Sequence, residues 1–361
     1  MTSVEFFRNK RVFITGHNGF KGSWMCRVLM NAGANICGYS LPLVDGDNLF
    51  SLIGASDKII DINGDIRDFE TLNECFKSFQ PEIVIHLAAQ PLVRESYKDP
   101  RYTYETNVMG TVNLFECIRS SDSVKSVLNV TTDKVYKNKE WCWGYRENEP
   151  LDGFDPYSNS KSCSELVTHS YIDSFFKDRD ISISTARAGN VIGGGDFAAD
   201  RIIPDCIRAQ INKQKIIVRN PYSVRPYQHV LEAIFAYLMI VEKQYNDKQF
   251  AGYYNVGPNE NDCVNTGRLV ELFCKNWETN YGWQVQSELN APHEANFLRL
   301  DCSKIKQKFG WLPAWDIEKA VHETCNWTKV WLNSNDISYE MDREILLYMK
   351  DLKEGSSFEV E

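Results

Sequence analysis

The sequence predicts an α/β protein built on a doubly wound parallel sheet, with a smaller C-terminal α/β lobe. Two observations predict this fold class. Short apolar or β-branched runs alternate with stretches of helical apolar spacing over the first half of the chain. A glycine-rich turn joins the first run to the first helical stretch. The 361 residues, of which 43% are hydrophobic, are enough to bury an ordinary core.

The predicted strands are short, apolar and bounded by turn residues, as buried parallel strands are. Between the first two, apolar side chains recur at helical spacing at positions 20, 24, 25, 28 and 29. This alternation predicts a parallel sheet covered by helices on both faces. The predicted strands cover residues 10–15, 35–39, 58–61, 83–87, 127–130 and 181–186.

The turn from Gly16 to Gly22 follows the first predicted strand and opens the first helix. Glycines at positions 16, 19 and 22 permit a tight turn and close approach of a ligand, while the helix N-terminus presents free amides to a pyrophosphate. Such a turn can also be only structural. Its place inside a βαβ unit favours a dinucleotide-binding, Rossmann-type fold.

The end of the second strand does not separate NAD from NADP. It carries Tyr39 and Ser40, where an acidic residue would bind the adenosine ribose, and no arginine for a 2′-phosphate lies there. Lys21 could approach such a phosphate. Asp65 and Ile66 are candidates for an adenine contact, and an exposed turn aspartate is the alternative.

The pattern becomes irregular after about residue 188, where glycines and prolines separate shorter elements. We therefore predict a dinucleotide-binding domain over residues 1–188 that also carries the catalytic residues. A smaller, partly interleaved substrate lobe would cover residues 189–345 and close over the crevice beyond the strands. Residues 346–361 form a polar tail whose last residues we expect to be disordered.

Charge and composition limit the binding partners and the cellular location that we expect for the protein. Lys and Arg total 40 against 49 for Asp and Glu, a formal charge of -9, so nucleic acid is not an expected partner. No apolar run is long enough to span a bilayer and the N-terminus does not resemble a signal peptide, so we expect a cytoplasmic protein. Eleven cysteines without a Cys-x-x-Cys pair suggest buried thiols and no metal site.

Tyr157 and Lys161 are four residues apart, which puts both on one face of a helix. A phenol has a pKa of about 10, and a neighbouring ammonium together with a positively charged nicotinamide ring would favour the phenolate and make it usable as a base. The strand ending Thr131–Lys134 would deliver polar groups to the same edge of the sheet. The two clusters together indicate an acid–base site beside a bound dinucleotide.

The sequence resembles the extended short-chain dehydrogenase/reductase family over nearly its whole length. The motifs that carry this resemblance are Gly16-x-x-Gly19-x-x-Gly22, residues 86–90, residues 106–111 and Tyr157-x-x-x-Lys161. Within the family it resembles the sugar-nucleotide 4,6-dehydratases, on the branch that acts on CDP-glucose, through residues 16–24, 90–94, 143–148, 187–196, 225–230 and 292–295.

The resemblance implies NAD as cofactor, a nucleotide sugar as substrate and three sets of site residues. The catalytic set is Thr132, Asp133, Lys134, Tyr157 and Lys161. The cofactor set is Gly16, Asn18, Gly19, Phe20, Lys21, Gly22, Ser40, Asp65, Ile66, Leu87, Ala88, Ala89, Thr106, Tyr157 and Lys161. The substrate set is Gln90, Asn190, Arg201, Arg225, Tyr227 and His293.

The resemblance also implies a reaction that feeds deoxysugar biosynthesis. Tyr157 takes the C4 hydroxyl proton during oxidation, Asp133 protonates the leaving C6 hydroxyl, and hydride returns to C6 so that NAD is not consumed. Lys134 is either the C5 base or an electrostatic clamp on the enolate. As a base it must be neutral, and lowering its pKa to about 7 would cost about 4–5 kcal/mol.

Two other functions stay open on the sequence. An epimerase of the same fold would share Tyr157, Lys161 and the glycine turn but would not need an acid such as Asp133. A non-catalytic dinucleotide-binding protein would usually lack the tyrosine and lysine. Relatives pair two long helices per subunit, so helices around residues 102–117 and 157–176 predict a homodimer or homotetramer.

Overall fold

A computed structural model describes residues 4–44, 46–279, 281–286 and 296–356. Its strands are β1 (Arg11–Thr15), β2 (Asn35–Ser40), β3 (Ile60–Asn63), β4 (Ile83–His86), β5 (Ser126–Thr132), β6 (Ser182–Ala188), β7 (Val191–Ile192), β8 (Ile216–Val218), β9 (Val224–Arg225), β10 (Gln228–His229), β11 (Tyr253–Val256), β12 (Val264–Asn265) and β13 (Trp283–Val285). A seven-stranded parallel sheet has the order β11-β6-β5-β4-β1-β2-β3. It confirms the predicted fold class.

The helices alternate with the sheet strands in the first half of the chain and pack against the second lobe in the other half. They are α1 (Phe20–Asn31), α2 (Leu49–Leu52), α3 (Phe69–Phe79), α4 (Val93–Lys98), α5 (Pro100–Tyr104), α6 (Gly110–Arg119), α7 (Pro156–Tyr171), α8 (Ile202–Ile211), α9 (Val230–Asn246), α10 (Thr266–Trp277), α11 (Ser303–Phe309), α12 (Ile317–Leu332) and α13 (Ile337–Ser356). Within the described ranges, no helix is both long and apolar enough to cross a membrane.

Each of the six predicted strands is present, and their ends differ from the prediction by no more than two residues. The agreement follows from burial, because β1, β4, β5 and β6 are covered on both faces and need continuous apolar runs. One face packs against α1, α9 and α13, and the other against α3, α6 and α7. Packing on both faces therefore fixes the positions of the carboxyl ends of the strands along one edge of the sheet.

The predicted division at residue 188 needs a correction. Strand β11 pairs with β6 and completes the main sheet, and the almost wholly buried helix α9 covers it, although both follow residue 188 in sequence. The second lobe keeps a separate core around α8, α10 and α12. The two units are interleaved because an edge strand is stabilised by any chain segment that can pair with it.

The predicted polar tail is also corrected for residues 346–356, which form the end of α13. Tyr348 is fully buried and donates a hydrogen bond of 2.7 Å to Glu232, and Asp351 accepts one of 2.8 Å from the Trp315 indole. His229, at the start of α9, lies 2.8 Å from Glu344 of α13. These buried polar contacts hold α13 on the core.

Candidate active site

The carboxyl ends of β1, β4, β5 and β6 open into one cleft of about 810 Å³ between the sheet and the second lobe. Ligands bind at this edge in open α/β sheets because the strand order reverses there. Every predicted cofactor residue lines the cleft, and so do Thr132, Lys134 and four of the predicted substrate residues, Asn190, Arg201, Arg225 and Tyr227.

The glycine turn forms one end of the cleft. Gly16 has a φ of +74°, and a Cβ there would lie 2.6 Å from the Ala88 nitrogen. A Cβ on Gly22 would lie 2.2 Å from the Gly16 carbonyl oxygen, so no side chain fits at either position. Helix α1 begins after Gly19 without a side-chain cap, which leaves its first-turn amides available. The cradle fits the pyrophosphate of a dinucleotide.

At the end of β2, His17 forms hydrogen bonds with two side chains, Ser40 of β2 and Asp61 of β3. Ser40 hydrogen-bonds to Nδ1 of His17 at 2.9 Å, and Nε2 of His17 lies 2.8 Å from the Asp61 carboxylate. Burial lowers the pKa of His17, with the Asp61 hydrogen bond opposing it. The Ser40 hydroxyl is thus held by protein at the position where the sequence lacks the usual acidic residue.

Further along the cleft, the Asp65 carboxylate is held by Arg67, with Nη2 to Oδ2 at 2.6 Å, and this hydrogen bond lowers the pKa of Asp65. Thr106 is buried, and its hydroxyl has no hydrogen-bond partner within the part of the chain that the structure describes. A buried hydroxyl without a partner costs free energy unless a ligand supplies one. Thr106 therefore fits a cofactor contact.

Lys21 lies toward the catalytic end of the cleft. Burial, together with the nearby charges of Arg201 and Lys161, lowers its pKa to about 8 against the opposing effect of Asp133. The approach of Lys21 to a 2′-phosphate stays a prediction.

Tyr157 and Lys161 lie on the first two turns of α7, which is capped by Asp155 through a 2.9 Å bond from the Ser158 amide. Lys161 donates a 3.0 Å hydrogen bond to the Val130 carbonyl of β5. Burial lowers the pKa of Lys161 to about 8. Burial also raises the pKa of Tyr157 to about 12, while a hydrogen bond with Thr132 opposes the rise. That Lys161 and a cationic nicotinamide ring together favour the phenolate stays a prediction, because the pKa given by the protein alone is set mainly by desolvation.

The polar groups after β5 form a connected chain. Thr132 donates a 2.9 Å hydrogen bond to Oδ1 of Asp133. Nζ of Lys134 lies 3.4 Å from the same oxygen and donates to Oδ1 of Asn190 at 3.2 Å. Asp133 is 1% exposed and lies behind the cleft wall, and its Oδ2 has no hydrogen-bond partner among the described residues. That oxygen is the available one for a substrate group.

The second lobe contributes cations and one aromatic ring. Arg201 is held by Asp196 at 2.9 Å, and Arg225 is 6% exposed on β9. Tyr227 is buried in the core of the lobe, 3.3 Å from the Thr266 hydroxyl, with one side on the cleft. Guanidinium groups so placed match the geometry of phosphate oxygens.

Gln90 is held by hydrogen bonds within its loop and is not among the lining residues of the cleft, and its predicted substrate contact stays a prediction. Its side chain donates to Thr103 at 2.9 Å and accepts from the Leu92 amide at 2.6 Å, and its own amide donates to Asn107 at 2.8 Å. Gln90 shapes the loop that does line the cleft. The predicted contact at His293 lies outside the described residues.

The sequence interpretation missed two arginines of the cleft. Arg219, just after β8, lies 2.7 Å from Asp200, and Nε of Arg94 lies 3.9 Å from the same carboxylate. Arg94 closes the motif over residues 90–94 that carried part of the resemblance, which was the available signal. Arg219 follows a three-residue strand and gave no signal of its own.

Sequence comparison identifies the class of protein to which this site belongs. Residues 13–324 match the model of the GDP-mannose 4,6-dehydratase family, and the chain belongs to this family. It is 45% identical to a CDP-glucose 4,6-dehydratase from Salmonella typhimurium over 355 residues, which cover 97% of this chain and 99% of the relative. It is 26% identical to a probable dTDP-glucose 4,6-dehydratase from Sinorhizobium fredii, over 88% and 92%. The predicted dehydratase resemblance is confirmed.

Solved structures share the fold. A UDP-glucose 4-epimerase from Thermotoga maritima, with UDP-glucose, has a TM-score of 0.78 at 20% identity, over 89% of this chain and 99% of that one. A dTDP-glucose 4,6-dehydratase from Bacillus anthracis, in complex with NAD, has a TM-score of 0.75 at 22% identity, over 89% and 96%. At these identities the likeness concerns the fold alone.

Proposed function

We propose that the protein is a hydro-lyase that converts CDP-glucose into CDP-4-keto-6-deoxyglucose. One observation carries the proposal: Tyr157 and Lys161 line the cleft beside Thr132, and Thr132 forms hydrogen bonds both with Tyr157 and with the buried carboxyl group of Asp133. A base for C4 and an acid for C6 are what oxidation and dehydration of one hexose require. The 45% identical relative supports this substrate.

The cofactor of the proposal is NAD. The glycine cradle at Gly16 and Gly22 and the unpartnered hydroxyl of Thr106 fit it, and the solved dehydratase relative carries it. Bound there, NAD supplies a hydride acceptor for C4 and a hydride donor for C6. The protein groups that would hold it are the α1 amides at the pyrophosphate, and Asp65 and Thr106 farther along.

The first task of the protein is removal of the C4 hydroxyl proton. Tyr157 is the base, and Thr132 shares a hydrogen bond with the phenol. The protein alone keeps the pKa of Tyr157 at about 12 because the ring is buried. The Lys161 ammonium, one helical turn away, lowers the cost of the phenolate only while it is charged, since an opposite charge stabilises an anion.

The second task is expulsion of the C6 hydroxyl as water. Asp133 is the acid, and its free Oδ2 is the oxygen that would meet the hydroxyl. Lys134 lies beside Asp133 and donates a hydrogen bond to Asn190. Elimination also needs an acceptor for the C5 proton. As a neutral amine Lys134 would take that proton and return it to C5 after hydride has reached C6, whereas as an ammonium it would only stabilise the enolate, so both roles stay part of the proposal.

Mass spectrometry of CDP-glucose incubated with the protein and NAD tests the proposal. Loss of one water supports dehydration, and unchanged mass with altered stereochemistry would mean the epimerase alternative. An unchanged sugar would mean a non-catalytic dinucleotide-binding protein. Parallel incubations with UDP-glucose and dTDP-glucose test the base preference, since Arg201 and Arg225 recognise only the pyrophosphate.

A homo-oligomer of at least two subunits and a cytoplasmic location are parts of the proposal. Apolar side chains stay exposed on the helices named as the interface, at Tyr104, Met109, Leu166 and Phe175. The eleven cysteines are thiols, which suits a reducing compartment. Light scattering at micromolar concentration tests the assembly, and a monomer would contradict it.

A further inference from the structure

A buried ion pair lies beneath the catalytic groups. Glu165 on α7 and Arg187 on β6 are both 0% exposed, and two parallel bonds of 3.0 Å join their charged ends. The Glu165 carboxylate also accepts hydrogen bonds from the hydroxyls of Thr131 and Thr185. Such a pair adds little net stability, because desolvation offsets the attraction. Its presence needs another explanation.

The pair joins the elements that carry the catalytic residues. Thr131 directly precedes Thr132 on β5, and Glu165 lies one turn beyond Lys161 on α7. Arg187 stands three residues before Asn190, which holds Lys134. The Glu165–Arg187 pair thus connects the helix that carries Tyr157, the strand that leads to Asp133, and the segment around Asn190, which accepts a hydrogen bond from Lys134.

Arg187 extends the connection to the segment that follows the acid. Its Nη1 donates at 2.9 Å to the Tyr136 hydroxyl and at 2.9 Å to the Glu147 carbonyl. Tyr136 in turn donates at 2.6 Å to Asn255 of β11. The turn after Asp133 is therefore fixed to the far edge of the sheet through Arg187.

The two charges of the pair lie at different distances from Lys161. Glu165 follows Lys161 by one helical turn on α7, and its charge opposes the effect of burial on the pKa of Lys161, whereas Arg187 hydrogen-bonds to Tyr136. The other titratable groups around Lys161 are Tyr157 on α7, Lys21 on α1 and His86 on β4. Of the groups around Lys161, Glu165 is the carboxylate that favours its ammonium.

We propose that Glu165 and Arg187 are positioning residues that hold the catalytic helix in register with the Thr132–Lys134 segment and place a carboxylate one helical turn from Lys161. The proposal rests on the proposed function for its kinetic consequences. Neither side chain lines the cleft, so neither touches substrate. Their effect passes through Lys161, Thr131 and Asn190.

Glu165→Gln tests the pair, with Glu323→Gln as matched control. Glu323 is 2% exposed and paired with Lys319 and Arg343 on α12 and α13, away from the cleft. For Glu165→Gln we expect kcat to fall about 10- to 100-fold with KM nearly unchanged, as for a small misplacement of reacting groups. Glu323→Gln should lower thermal stability without changing kcat.

Titration of the protein labelled with ¹³C at the lysine ε-carbons gives a readout that does not need activity. The pKa of Lys161, assigned by comparison with Lys161→Arg, should fall by about one unit or more in Glu165→Gln, because a nearby opposite charge is lost. Arg187→Lys keeps the charge but loses the two-pronged bond, so it should lower kcat without moving that pKa.

A folded Glu165→Gln protein with the kcat and Lys161 titration of the wild type would overturn the proposal. Should Glu165→Gln not fold, Thr185→Val removes one bond into Glu165 and keeps both charges. A lower kcat at constant KM then supports the proposal, and an unchanged kcat contradicts it. An inactive wild type would reject the proposed function, while the lysine titration would still decide the role of the pair.

Discussion

The two walls of the cleft are built differently. On the wall formed by the sheet, Lys161 is anchored to a backbone carbonyl of β5 and Asp133 is fixed by Thr132, and both are almost completely buried. On the wall formed by the second lobe, Arg201 and Arg219 are held by carboxylates and remain about one third exposed, 33% and 30%.

This difference predicts that the sheet side of the cleft acts in proton transfer and the second-lobe side in substrate binding. A group fixed by backbone in a low-dielectric setting is pre-organised for proton transfer, and its loss should lower kcat. An arginine held by a carboxylate can exchange that partner for a phosphate, so changes on the second wall should act through KM.

Replacing Tyr157 by Phe should have the largest effect. Without the phenol the C4 proton has no acceptor, so kcat should fall about 100- to 10,000-fold, the usual contribution of acid–base catalysis. Steady-state assay with CDP-glucose measures the change. Tyr254→Phe is the control, since that buried hydroxyl donates to Phe250 of the core. If Tyr157→Phe keeps its turnover, Tyr157 is not the base, and the sheet side of the cleft does not carry out this proton transfer.

Asp133→Asn should come next and should separate the two tasks of the sheet wall. The amide cannot protonate the C6 oxygen, so turnover should fall by about 100-fold or more while oxidation at C4 still occurs. Mass spectrometry should then find a 4-keto sugar that has kept its C6 oxygen. If the 6-deoxy product forms at the normal rate, the acid is another group.

Arg225→Lys probes the second wall. A lysine keeps the charge and loses the fork, which should cost about 1.5–3 kcal/mol of binding and raise KM about 10-fold or more with kcat little changed. Arg268→Lys on the outer face of α10 is the control. A fall in kcat at constant KM would contradict the separation of tasks between the walls.

The smallest effect expected is on the pH profile. Burial sets the pKa of Lys161 at about 8, so the ammonium is present below that pH and is lost as the pH rises through it. We therefore expect kcat to decline on the alkaline side, measured between about pH 6 and about pH 10. Lys161→Arg should move the decline to higher pH, because arginine stays charged. A flat profile would show that the charge is not needed.

Prediction from sequence was most successful where local pattern suffices. The glycine turn and the Tyr157–Lys161 spacing depend on neighbours within one turn or one βαβ unit, and both reached the cleft as predicted. The predicted substrate contact of Gln90 stays a prediction, since a polar residue in a site motif can equally support the loop. The rise in the pKa of Tyr157 in the protein alone comes from burial, which residue spacing does not reveal.

The amino-acid sequence by itself determined the parallel sheet, the glycine turn, the Tyr157–Lys161 spacing and the dehydratase family, since each depends on a short periodic or motif-like string of residues. Only the tertiary structure decided that β11 completes the sheet, that α13 packs on the core, and that Glu165 meets Arg187 beneath the site. Those pairings join segments far apart or on different elements, and they form only when packing brings the segments together.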